Sequence, residues 1–249
     1  VLGASGSGNT LTQPADVTAS NGTASGSLSS TVAGTKTITA TVNGVAITPT
    51  ADVVVSAAAI SAAQSLVSLN PTSVTAGGSG TTATVTVRDA FDNPIAGATV
   101  VLATNAAGTS ITQPVATTDA NGVATGTIAA TLVTPTTVSA TANGVALTQT
   151  AALTVVAGAV SAAQSSVEAS TASIVAGSGS STITVTARDA NGNTIAGANV
   201  ALAVSGTGAS FDQASGTTDA AGVFTATLSG TVAGLRTVSA TIAGTPITE

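Results

Sequence analysis

An all-β chain of tandem sandwich domains is what this sequence predicts. Three observations predict it: an internal repeat, a two-residue alternation inside each repeat, and turn residues between the alternating runs. The repeat runs without gaps. Ser61-Ala62-Ala63-Gln64-Ser65 recurs as Ser161-Ala162-Ala163-Gln164-Ser165, a step of 161 − 61 = 100 residues, and Arg88-Asp89-Ala90 recurs as Arg188-Asp189-Ala190. The N-terminal part keeps the same step, with Gln13-Pro14 over Gln113-Pro114 and Asn21-Gly22 over Asn121-Gly122. On that register residues 1–57 are the second half of a repeat, 58–157 a complete one, and 158–249 one lacking its last strand; both ends are expected to be completed by sequence outside these residues.

Within the complete repeat, Ala83, Val85 and Val87 share one face of an alternating run whose other face carries Thr84 and Thr86, the pattern of a half-buried strand. The same pattern predicts strands near 98–104, 123–130 and 136–142, and an apolar last strand at 150–156. Asn143-Gly144 between two runs predicts a two-residue hairpin, because a type I′ turn needs positive φ at both central residues. Asn43-Gly44 and Ala243-Gly244 occupy the same slot, and Asp119-Ala120-Asn121-Gly122 punctuates another strand pair. About seven short strands in ~90–100 residues match an immunoglobulin-like sandwich, without the Cys and Trp of antibody cores.

Composition sets the kind of core and excludes several functions. Charged residues are 6% of the 249, aromatic residues 1%, and Cys, Met, Trp, Tyr and His are absent, while apolar residues make up 43%. The core must be built from small aliphatic groups, and the chain is too apolar for a disordered polar tract. No apolar run approaches the ~20 residues of a membrane-spanning helix. The net charge of −6, with Lys36, Arg88, Arg188 and Arg236 as the only cations, argues against nucleic-acid binding. Without His or Cys, serine and cysteine triads are excluded, and Lys36 lies outside both longer repeats, so neither a Ser-Lys pair nor a lysine isopeptide cross-link can recur along the array. The reading is non-enzymatic, with Lys36 as a solvated loop residue. Phe91, Phe211 and Phe224 read as core or packed-loop residues, with Ala169, where the preceding repeat has Leu69, as a candidate to make room for Phe224.

The residues with chemistry are acidic and lie in loops. Asp89, Asp92 and Asn93 follow one strand, Asp119 and Asn121 lie between two others, and in a sandwich these loops share an end with the Asn143 hairpin. In the next repeat Asp189, Asn191, Asn193 and Asp219 would face the junction after residue 157. Two readings are open. Asp, Asn and Gly supply Asx turns and positive φ in tight loops; alternatively Asp89, Asp92, Asp119, Asp189, Asn191, Asn193 and Asp219 offer oxygens for a junctional Ca²⁺, of which 189–193 forms only part of a known loop pattern. No other cofactor is expected.

The run Ser73-Val74-Thr75-Ala76-Gly77, then Thr84-Val85-Thr86-Val87-Arg88-Asp89-Ala90, Asn93-Pro94-Ile95-Ala96-Gly97-Ala98 and Thr118-Asp119-Ala120-Asn121-Gly122, resembles the bacterial Ig-like domain (group 1) of invasin- and intimin-type adhesins. The resemblance implies an extracellular, surface-borne rod of head-to-tail modules that meets a host or matrix receptor only through domains outside this sequence. Direct partners are then neighbouring repeats or identical chains. The alternative is a self-assembling extracellular filament or sheath, a reading that the nearly uncharged, Thr- and Ser-rich surface keeps open.

Overall fold

The computed structural model describes residues 1–15 and 17–247, in which every regular element is a strand and none is a helix. Its sheets fall within residues 2–55, 66–156 and 166–247, referred to below as the first, second and third units. In the second unit one antiparallel sheet is ordered Thr109–Thr112, Val123–Ala130, Thr81–Thr86, Leu66–Asn70. The facing sheet is built on Thr136–Ala142, which pairs with Val100–Thr104, with Val145–Ala146 and with Ala151–Val156. Ala151–Val156 also takes Ser73–Thr75 as a parallel neighbour, a strand that the alternation alone does not reveal because it is three residues long.

Alternation translates directly into burial. Thr81, Ala83 and Val85 point inward from their strand, opposite Ala124, Ile128 and Val67, while Val138, Leu153 and Val155 close the core from the other sheet. The third unit repeats the plan around Val167, Ile183, Val185, Leu228 and Ile242, with Phe224 as its one buried aromatic side chain. Room for that ring comes from Gly216 rather than from Ala169: a Cβ at Gly216 would overlap the Phe224 ring, whereas Ala169 is exposed. Phe211 packs against this core, but Phe91 is 57% exposed, because only its backbone N–H is engaged by the loop that carries it.

Lys36 also departs from expectation. It lies in the strand Gly34–Val42 and is 3% exposed, with Nζ donating to Ser7 O at 3.1 Å. Arg236, at the same repeat position but only half-buried, donates to Thr207 O at 2.8 Å, so the long cation at this position bonds the neighbouring loop in both units.

All three predicted hairpins have left-handed central residues: φ is 50° and 81° at Asn43-Gly44, 47° and 81° at Asn143-Gly144, and 49° and 83° at Ala243-Gly244. Asn143 Oδ1 also accepts from Thr99 N at 2.8 Å. Alanine has neither the tolerance for this conformation nor the acceptor. Ala243→Asn is expected to stabilise the third unit by about 1 kcal/mol, read as a higher thermal midpoint, with Asn143→Ala shifting the second unit the opposite way.

Candidate functional site

Strand direction determines which loops meet. Val123 pairs with Thr86 and Ile128 with Thr81, so the loop after Thr86 and the loop after Ala130 lie at opposite ends of the unit. Ala151–Val156 runs toward the second of these ends, since Val138 pairs with Ala151 and Thr136 with Leu153. The chain therefore leaves the second unit beside the 131–133 loop and reaches the third unit at its 189–193 loop. The units join end to end.

At this junction Asp189 is the centre. Its side chain is 1% exposed, and both oxygens are occupied by N–H donors. Oδ1 accepts from Asn191 N and Asn193 N, each at 2.9 Å; Oδ2 accepts from Asn193 Nδ2 at 2.8 Å and from Gly158 N, in the linker, at 2.9 Å. Asn193 then reaches across to the preceding unit. Its Oδ1 accepts from Val133 N at 3.0 Å and its Nδ2 donates to Thr131 O at 2.8 Å, so one amide side chain pairs with a stretch of loop backbone as another strand would. Asn191 lies against Gly77, where a Cβ would stand 2.7 Å from Asn191 Nδ2.

The same clasp occurs at the first junction. Asp89, 0% exposed, accepts from Phe91 N, Asn93 N, Asn93 Nδ2 and Ala58 N at 2.8–2.9 Å. Asn93 Oδ1 accepts from Ala33 N at 2.8 Å, and its Nδ2 donates to Thr31 O at 2.9 Å. In both loops the arginine before the aspartate donates Nη1 to the carbonyl of residue 92 or 192 at 2.7 Å. At the first junction Arg88 Nε also lies 3.4 Å from the Asp92 carboxylate, an exposed pair for which the third unit substitutes Gly192.

Burial pushes the Asp89 carboxyl toward its neutral form, but hydrogen bonds from the Asn93 side chain and the amides of Ala58, Asn93 and Phe91 outweigh it and hold the pKa down at about 2. Asp189 is lowered by the same opposition of burial to the Asn193 side chain and the Gly158, Asn193 and Asn191 amides. Both are anions neutralised by peptide dipoles.

The remaining acidic candidates are placed differently. Asp119 and Asp219 each accept from two amides of their own turn, Asn121 and Val123 in one case and Ala221 and Val223 in the other, and so act as Asx-turn residues. The structure thus brings Asp189, Asn191 and Asn193 together with linker and loop backbone, and leaves Asp219 in its own turn. Among the described residues no group of three or more His, Cys, Asp or Glu side chains is placed to hold a metal ion. Sequence reasoning missed Thr31, Ala33, Thr131 and Val133, which act through backbone. The available signal was that Asp89 and Asn93 recur as Asp189 and Asn193 while the residues between them change from Ala-Phe-Asp to Ala-Asn-Gly.

Comparison with known proteins agrees with this geometry. Residues 161–249 match the family model described as bacterial Ig-like domain (group 1), and residues 61–158 match invasin, domain 3. Comparison with curated protein sequences gave no match. Among solved structures, the Escherichia coli adhesin FdeC is 27% identical, with a TM-score of 0.64 over 99% of this chain and 83% of its own. Invasin, described as a bacterial integrin-binding protein, is 22% identical, with a TM-score of 0.63 over 96% of this chain and 50% of its own. Yersinia pseudotuberculosis InvD is 20% identical, with a TM-score of 0.59 over 96% and 71%. The latter two likenesses are of fold, and this chain spans half the length of the invasin chain. Clasped alike at both junctions and matched in turn by two models of one kind, the stretches 61–158 and 161–249 are bacterial Ig-like domains of the invasin type.

Proposed function

We infer that this chain is a structural stalk segment of a bacterial surface adhesin, non-catalytic, in which repeats spanning 1–57, 58–157 and 158–249 act as spacers of fixed orientation. The observation that carries the reading is the repeated clasp: Asp89–Asn93 and Asp189–Asn193 make the same bonds to the linker and to the preceding unit, at the same repeat positions. A site that joins modules identically is what a spacer needs, and it leaves the receptor-binding surface to other domains. The likeness to the E. coli adhesin FdeC supports a place outside the cell.

The junction needs no cation, since each central carboxylate already takes four N–H donors. A chelator is expected to leave the thermal midpoint and the interdomain angle unchanged, and Ca²⁺ is expected not to raise either. Removing the cross-junction amides in an Asn93→Ala, Asn193→Ala double variant is expected to cost each junction about 1 kcal/mol while widening the distribution of interdomain angles. Small-angle X-ray scattering combined with single-particle electron microscopy reads this directly. A native chain as broadly bent as the double variant would remove the fixed-spacer reading.

A further inference from the structure

We propose that the loop 115–117 of the second unit is a cleavage site for an endoproteinase whose primary pocket takes a small aliphatic side chain, and that the nicked unit stays assembled. The proposal goes beyond the stalk reading, because it gives the array a point at which its covalent thread can be cut in the folded state.

The two longer repeats treat this segment in opposite ways. In the third unit Ser215–Thr217 is a strand: it pairs antiparallel with Asn199, Val200 and Ala201, and Leu202 N donates to Ala214 O at 2.7 Å beside it. In the second unit a side chain takes that place. Gln113 Oε1 accepts from Leu102 N at 2.7 Å and Gln113 Nε2 donates to Leu102 O at 2.8 Å, so the edge of Val100–Thr104 is closed at Leu102 by an amide rather than by main chain. The equivalent Gln213 donates instead to Thr225 O at 2.7 Å, on the other sheet. With the edge occupied, residues 115–117 run free of it: all three are exposed, Val115 at 104%, and among the described residues their backbone makes no hydrogen bond. Beyond them the chain is anchored again, where Thr118 N donates to Ala98 O at 2.9 Å. This edge lies across the sheet from Ala151–Val156, since Val138 pairs with Thr104 on one side and with Ala151 on the other. The contrast between the two units is therefore independent of what occupies that far edge.

A protease takes its substrate as an extended strand, with main-chain bonds along it and a pocket for the side chain before the cut. Backbone already paired in a sheet cannot enter, whereas exposed, unpaired loop backbone can. Residues 115–117 meet this condition and 215–217 do not. Val115 and Ala116 set the class of enzyme, a small primary pocket that fits neither a cation nor an aromatic ring. Cation-directed enzymes are poorly served, because Lys36 is buried and Arg88 and Arg188 each precede a fully buried clasp aspartate. The step is hydrolysis: the C–N bond between Val115 and Ala116 breaks, and one water gives its OH to the Val115 carbonyl carbon and its H to the Ala116 nitrogen. The two halves remain joined by strand pairs that cross the cut. Val123–Ala130 holds Thr109–Thr112 and Thr81–Thr86, Thr136–Ala142 holds Val100–Thr104, and Ala151–Val156 holds Ser73–Thr75. Shape persists while continuity is lost.

The test treats the 249-residue chain with pancreatic elastase and, separately, with the broadly specific subtilisin, and maps the cuts by mass spectrometry beside free peptides of residues 110–120 and 210–220. With subtilisin, the ratio of cleavage within 115–117 to cleavage within 215–217 is expected to be at least about tenfold higher in the folded chain than between the peptides, because paired backbone must open before it is cut. Elastase is expected to cut the second unit first at 115–117, giving two fragments that elute together in size-exclusion chromatography and separate only in denaturant. A Val115→Asp, Ala116→Asp chain, altered only in exposed side chains, should resist elastase there with an unchanged thermal midpoint. A folded-chain ratio equal to the peptide ratio, a first elastase cut elsewhere in the second unit, or fragments that part without denaturant would overturn the proposal.

Discussion

Asp189→Ala is expected to lower the stability of the third unit by on the order of 3 kcal/mol, because it strands buried donors rather than deleting one contact. The amides of Gly158, Asn191 and Asn193 and the Asn193 side chain all converge on this carboxylate. Without it the 189–193 loop has no centre, and Asn193 loses the partner that aims it at Thr131 and Val133. Asp189→Asn separates charge from shape. Its carbonyl oxygen can still accept from two amides, but its NH₂ group meets the other donors head-on, so a loss intermediate between wild type and alanine is expected. Urea denaturation of both variants, beside the matching Asp89 pair, measures this. A shift below about 0.5 kcal/mol for alanine would mean that water satisfies the donors and that the loop does not depend on its aspartate.

Acid is expected to undo the same sites without any mutation. A carboxyl whose folded pKa lies below its unfolded value contributes stability that is fully present above the unfolded pKa and is lost as pH falls through the folded one. Asp89 is held at about 2 against an ordinary value of 3.8, and Asp189 is lowered too, so the loss begins near pH 4 and continues toward pH 2. Asp119 and Asp212, lowered chiefly by the amides of Val123 and Thr227, act in the same direction. The chain has no histidine, so stability between pH 5 and 8 is expected to be flat. Thermal melts across pH 2–8 provide the check, and an Asp89→Asn, Asp189→Asn chain should show a shallower acid limb. A melting temperature that does not fall below pH 4 would contradict the hydrogen-bond accounting at both junctions.

Local features were legible in the sequence because local rules produce them. The strand expected at 123–130 is Val123–Ala130, since alternation and the Asn121-Gly122 turn set both register and start. The hairpins followed from one dipeptide, and even Ala243 kept the turn because the flanking strands impose it. Features that depend on distant partners were not legible. Ser73–Thr75 is a three-residue strand whose parallel partner, Ala151–Val156, lies far along the sequence, so no local pattern marks it. Lys36 looked like a loop cation because charge is read as exposure, yet its strand turns it inward toward a carbonyl 29 residues away. The sequence brought Asp189 and Asn193 to the junction as polar loop residues. That they bind backbone rather than each other's neighbours depends on the 131–133 loop, some 60 residues away in another unit.

The parallel pairing of Ser73–Thr75 with Ala151–Val156 has a mechanical consequence. These strands stand near the start and the finish of the second unit, run in the same direction, and are drawn toward opposite ends when the chain is pulled. Tension then acts along the ladder between them and loads its hydrogen bonds together in shear, instead of peeling them one after another. Force applied along the second unit is therefore expected to meet this ladder in shear.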